Sequence, residues 1–219
     1  MNYQFLTTTL LFRGTTADEA KAMLSCMNSF EKTYKKGDII YHAGECTENM
    51  GLVLSGSVNI TIDDVWGGST ILGQVSSGQL FAETYACVPG EPMMVSVTAN
   101  ENSEILFLNA SRLMTSCKNA CPYHSMLIHN LLAVSAYKNL ALSMRSIHTS
   151  QKSIRGRLIS YLSEQARRSG SYQFTVPFDR QQLADYLGVD RSAMSNELSK
   201  MKRENILTYE KNHFSLTQK

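Results

Sequence analysis

Phe178–Arg203 reads FDRQQLADYLGVDRSAMSNELSKMKR, and the rest of the chain is best understood outward from it. The stretch predicts two short helices joined by a tight turn. Asp179 has the side chain of an N-cap, and Gln182 three residues on completes a capping box. Leu183, Ala184 and Leu187 form one apolar face. Gly188 follows, where a left-handed residue must end the helix. Val189 plugs the corner. Asp190 caps a second helix, whose Met194, Leu198 and Met201 turn inward. On its other side Ser192, Ser195, Asn196, Ser199 and Arg203 recur at helical spacing, with Arg191 beside them in the first turn. A face with no aliphatic residue, many hydrogen-bonding groups and a cationic margin suits a helix that enters the DNA major groove. Downstream, Leu207–Glu210 and His213–Leu216 alternate around Lys211-Asn212, a hairpin turn that adds a wing.

Charge is distributed to match. The chain has 219 residues and a net charge of +2. Residues 150–219 hold 12 Lys/Arg against 7 Asp/Glu, a net of +5, and residues 1–149 hold 9 against 12, a net of −3. The basic end is therefore the end with the two-helix unit, as a phosphate-facing surface requires. No apolar run approaches the roughly 18 residues of a membrane span, and the first residues lack the pattern of a signal peptide. A cytoplasmic protein without a membrane partner is expected. Five cysteines, an odd number, do not read as a disulfide framework.

The N-terminal part changes period as it proceeds. Residues 1–30 read as mostly helical, with Thr16 or Asp18 opening a helix through Ala20, Met23, Leu24 and Met27. From Phe30 to Asn109 the period becomes two. Short runs such as Ile39–Tyr41, Gly51–Leu54, Val58–Ile62, Thr70–Leu72, Val95–Thr98 and Glu104–Leu108 are separated by glycine-bearing turns, which means an antiparallel sandwich or barrel. A long helix follows Pro122 and runs to about Ser146. Met126, Asn130, Ala133, Tyr137, Leu140, Met144 and Ile147 recur on it at steps of four and three, a heptad seam for a second helix, with Asn130 placed to set register. A second stripe, Leu127, Leu131, Val134 and Ala141, faces the sheets. Polar residues around Arg145–Gln151 form a hinge. A further helix, capped by Ser150 or Ser153, then runs to about Arg168.

The phrase RQQLADYLGVDRSAMSNELSKMKRENIL resembles the winged helix-turn-helix of the Crp/Fnr superfamily of bacterial transcription regulators. YKKGDIIYHAGE and GLVLSGSVNI are similar to the phrases that open the same family's cyclic-nucleotide-binding-like β-roll, so the resemblance covers nearly the whole chain. It implies an α+β architecture: an N-terminal double-stranded β-helix of the jelly-roll or cupin-like kind (1–120), a long dimerisation helix (121–148) and a C-terminal winged helix-turn-helix (149–219). It also implies a homodimer on a near-palindromic DNA site, RNA polymerase as a second partner and a small effector. Arg191 matches a base- or phosphate-contacting arginine of the family. Ser192 and Asn196 depart from the usual Glu and Arg, and Asn196 suits adenine. Ser195 and Ser199 are candidates for phosphate or base-edge contacts, and Arg180 and Gln181 for the backbone.

The effector phrase departs further. Glu83 matches the family's ribose-binding carboxylate in Phe81-Ala82-Glu83, but Ala82 stands where Gly is usual. Met93-Met94 stands where an Arg-Ser pair would hold a cyclic phosphate, and Gly78–Asn100 contains no Lys or Arg. A buried phosphate without a cation is costly, so a cyclic nucleotide is not expected and the effector's identity stays open. The resemblance also implies that the long helix reaches the ligand, and by its spacing ahead of Arg155-Gly156-Arg157 Ser143 is the nearest polar candidate for that contact. Cys117, Cys121 and His124, spaced C-x3-C-x2-H, allow a metal- or redox-sensing alternative, although Pro122 interrupts them. A cupin-like enzyme would need clustered ligands on the strands, and the roll has a single histidine, His42. No catalytic residue and no metal site is expected.

Overall fold

The computed structural model describes residues 1–64, 66, 68–114 and 122–217. The chain divides into two compact units, Met1–Ala136 and Tyr137–Lys219.

The first unit begins with α1 (Tyr3–Thr8) and α2 (Ala17–Cys26). Thr16 caps α2, and its hydroxyl and the Glu19 carboxylate exchange bonds with each other's backbone. The strands β1 (Phe30–Tyr34), β2 (Ile39–Tyr41), β3 (Asn49–Ser55), β4 (Ser57–Asp63), β5 (Ser69–Ser76) and β6 (Leu80–Phe81) follow, then α3 (Glu83–Ala86), β7 (Ser96–Ala99), β8 (Ser103–Asn109) and α4 (Ala110–Met114). They form two antiparallel four-stranded sheets, ordered β1-β8-β3-β6 and β2-β7-β4-β5.

The run Ile105-Leu106-Phe107-Leu108 shows how the unit is layered. Alternate side chains leave a strand on opposite faces. Ile105 and Phe107 enter the core inside the roll with Val53, Val58, Phe81 and Val97. Leu106 and Leu108 enter a second core beneath α1 and α2 with Leu6, Phe12, Met23 and Leu24. Both faces of this sheet are covered, so β8 reads as a continuous apolar run. Gly51, paired with Phe81, must lack a side chain: a Cβ there would lie 2.2 Å from the Phe81 ring.

α5 (Pro122–Thr149) is 28 residues long, about 42 Å at 1.5 Å per residue. It continues past the expected end near Ser146 because His148 is still packed, its ring edge-on to Tyr161 at 5.6 Å. Leu127, Leu131 and Val134 are buried as expected, whereas Ala141 is exposed, since the core that covers the stripe ends at Val134.

The second unit contains α6 (Ile154–Ser169), β9 (Gln173–Thr175), α7 (Arg180–Leu187), α8 (Arg191–Arg203), β10 (Leu207–Glu210) and β11 (His213–Leu216), with sheet order β10-β11-β9. Ser153 caps α6, so the interruption after α5 falls at 150–153. One core joins Leu158 and Leu162 of α6 to Leu183, Met194, Leu198, Leu207 and Phe214.

Candidate nucleic-acid interface

The two-helix unit is built from local bonds. The Asp179 carboxylate accepts from Gln182 N at 2.8 Å, and Asp179 N donates to Gln182 Oε1 at 2.9 Å. Gly188 ends α7 at φ 62°, ψ 48°, and Val189 N donates back to Ala184 O at 3.0 Å. This is the Schellman pattern of a left-handed C-terminal residue. The Asp190 carboxylate accepts from Ala193 N at 2.7 Å and starts α8. Leu183, Ala184 and Leu187 are fully buried, as are Met194 and Leu198, and their burial fixes which face of α8 turns outward.

Two arginines outside α7 complete its C-terminus. Arg145 donates to Asp185 O and Tyr186 O, each at 3.0 Å. Arg157 donates to Leu187 O at 2.9 Å and Gly188 O at 2.8 Å. Four carbonyls at the negative end of the helix thus meet guanidinium donors. Sequence reading missed both, because the partners are 30 to 41 residues apart.

The outward face of α8 is exposed at Arg191, Ser192, Asn196, Ser199 and Arg203, with Ser195 half-buried. Its side chains are not equivalent. Ser195 Oγ donates to Arg191 O and Ser199 Oγ to Ser195 O, each at 2.9 Å. Their hydroxyl protons stay within the helix, and these serines offer a base edge acceptor lone pairs. Arg191, Ser192 and Asn196 project the groups best placed to donate.

At the start of α7, Gln181 Nε2 donates to Asp185 Oδ1 at 2.8 Å. Arg180 is packed rather than extended: its guanidinium lies 4.7 Å from the Tyr209 ring centre and 5.2 Å from that of Phe214. Burial lowers its pKa from the ordinary arginine value. Arg180 therefore joins α7 to the wing. Lys202 approaches the same Tyr209 ring at 5.4 Å, and Tyr209 Oη lies 3.4 Å from Ser199 Oγ. Tyr209, which sequence reading left out, sits where recognition helix and wing meet.

The expected effector residues are only partly brought together. Phe81 and Met93 are buried in the core inside the roll, and Ala82 packs against it in a left-handed conformation at φ 58°. Glu83 is buried at the start of α3. Met94 points away at 71% exposure, its backbone N 3.3 Å from Tyr85 Oη. The two methionines thus part company instead of lining one wall. Ser143 is in the second unit, where its hydroxyl donates to Asn139 Oδ1 at 3.3 Å.

The seam on α5 is partly taken by the chain itself. Asn130 Nδ2 donates to Leu11 O at 2.9 Å and Arg13 O at 2.8 Å, and Met126 Sδ lies against Gly14. Asn130 therefore ties α5 to its own N-terminal segment. Ala133 and Met144 are half-buried, and Tyr137, Leu140 and Ile147 are exposed. So are Ile128 and Leu132, which the seam had omitted.

Cys117 and Cys121 lie outside the described residues. His124 is buried, with its Nδ1 unpartnered among the described residues. Among those residues no group of three His, Cys, Asp or Glu side chains is arranged to hold a metal ion, and no helix is long and apolar enough to cross a membrane.

Family models match twice: a cyclic nucleotide-binding domain over residues 31–119 and a Crp-like helix-turn-helix domain over residues 156–218. No curated protein sequence matches. Solved structures with similar folds include the catabolite activator protein of Thermus thermophilus, 22% identical, TM-score 0.52, over 95% of this chain and 94% of that one. CprK complexed with OCPA is 19% identical at TM-score 0.59, over 90% of this chain and 92% of its own. The c-di-GMP responsive regulator CLP of Xanthomonas campestris is 16% identical at TM-score 0.60, over 93% of this chain and all of its own.

Proposed function

Because this chain belongs to the Crp/Fnr superfamily of transcription regulators, with that family's two domains in order, we propose that it binds a near-palindromic DNA site as a homodimer under the control of a small effector other than a cyclic nucleotide. The observation that carries DNA reading is α8: a fully buried apolar side opposite an exposed polar side bordered by Arg191 and Lys202. Such a helix fits the major groove, where Arg191 can meet guanine O6 and N7, and Asn196 adenine N6 and N7. RNA polymerase is the expected second partner.

Dimerisation rests on α5. Leu132 is 67% exposed and Leu140 62%. Ile128, Leu132, Ala136 and Leu140 follow at steps of four and form one ridge, extended by Tyr137 and Ile147. An exposed apolar ridge of this kind, on a helix whose buried stripe ends at Val134, fits a second copy. Since the Asn130 amide is engaged within the chain, Ile128 and Leu132 join Met126 in the N-terminal half of the seam.

An effector other than a cyclic nucleotide is supported by the absence of Lys and Arg from Gly78–Asn100 and by the burial of Met93. Native mass spectrometry of protein purified without oxygen tests this part. Added mass matching an organic, non-nucleotide compound supports it, and a co-purified cyclic nucleotide overturns it. Added mass matching a metal would favour a sensor at Cys117, Cys121 and His124.

A further inference from the structure

The recognition helix carries acid as well as base. Glu197 lies on α8 and Glu204 just past its end, seven residues apart, so they share one edge two turns apart. Carboxylates at the border of a helix bound for DNA repel every phosphate within reach. Arg155, the second residue of α6, meets both. Its Nε donates to Glu197 Oε1 at 2.6 Å, while Nη1 and Nη2 donate to the two oxygens of Glu204 at 2.8 Å each. The second contact is the bidentate fork that only arginine makes. Lys200 adds a weaker approach to Glu197 at 3.8 Å. The hydrogen bonds raise the Arg155 pKa and lower that of Glu204. A charged triad thus spans α6 and α8 alongside their shared apolar core.

We propose that Arg155 is a positioning residue for DNA binding, which ties the acidic edge of α8 to α6 and keeps both carboxylates off the phosphates. The proposal rests on the DNA-binding reading above. It has a consequence that packing alone does not. Loss of Arg155 exposes two negative charges, so binding to any sequence weakens, and it weakens most where salt screens least.

The test uses the full chain, with fluorescence anisotropy on two duplexes: one recovered by selection from random sequence, the other its scrambled counterpart. At about 50 mM salt R155Q loses about 10-fold in affinity on both duplexes, and the gap narrows at about 250 mM. The triple variant R155Q/E197Q/E204Q, which removes the exposed charges too, recovers most of the loss. E204Q alone, which leaves Arg155 on Glu197, binds at least as tightly as the parent. Parental affinity in R155Q overturns the proposal, as does a loss that is equal at both salts and not restored in the triple variant. Weaker binding by E204Q overturns the shielding. A parent that binds neither duplex removes the DNA-binding reading and this proposal with it; an unchanged R155Q beside a tightly binding parent removes this proposal alone.

Discussion

Replacing Gly188 by alanine isolates the energy stored in the turn before the recognition helix. Gly188 sits at φ 62°, ψ 48°, where an L-residue carries its side chain too close to the following carbonyl. Space is not the obstacle. A Cβ there would meet Arg157 Nη1 at 3.6 Å, an ordinary contact. The cost is therefore conformational, about 1–2 kcal/mol, and falls on the α7–α8 unit. Amide hydrogen exchange of α7 and α8 reads it directly, since 1–2 kcal/mol corresponds to about 5- to 30-fold faster exchange wherever opening of this unit controls the rate. Gly188→Asn should fall between parent and alanine, because asparagine tolerates the left-handed region better. A loss above about 3 kcal/mol, or none for alanine, would refute the reasoning: the first would mean a steric clash, the second a turn that can relax.

Other expected outcomes follow from the same geometry. Arg191→Ala should cost about 1–3 kcal/mol on the selected site and much less on scrambled DNA, measured by anisotropy; equal losses on both would reduce Arg191 to a phosphate contact. Leu132→Glu should shift the protein towards monomer in sedimentation. Asn130→Ala, which removes two internal hydrogen bonds, should keep the dimer and cost about 1–3 kcal/mol of stability. His148 is buried against Tyr161 and Tyr186, with Ser160 Oγ on its Nδ1, Glu164 favouring its charge and Arg168 opposing it; burial dominates and lowers its pKa. A lowered value means the folded state resists protonation, so stability is full above the unfolded value of 6.5 and falls as the pH drops through the folded one. Urea unfolding followed from pH 6.5 down to the folded value should show a shallower decline for His148→Gln than for the parent.

Local chemistry made the helix-turn-helix legible. Asp179 with Gln182, Gly188 and Asp190 each act on atoms within about four residues, so a sequence window contains cause and effect together. Period two likewise revealed most strands of the roll. What stayed hidden depends on distant partners. Arg155 meets Glu197 and Glu204 from 42 and 49 residues away. Helical periodicity gave α5 two apolar stripes but could not say that Leu11 and Arg13 would occupy Asn130, because the path of the N-terminal segment is not a local property. Adjacent methionines look alike in sequence, yet Met93 is buried and Met94 exposed. Ser195 and Ser199 are candidates for phosphate or base-edge contacts by their spacing, and their back-bonding to the preceding turn, which spacing does not reveal, leaves them acceptors.

The most direct test of the central claim is selection of binding sites from a random duplex library by the purified full-length chain, with sequencing of the bound pool. The account predicts enrichment of two inverted half-sites whose centres lie about one helical turn apart, roughly 10 base pairs, with Arg191→Ala relaxing one position in each half. A pool without enrichment, or one dominated by a single unrepeated motif, would contradict a dimeric, sequence-reading regulator.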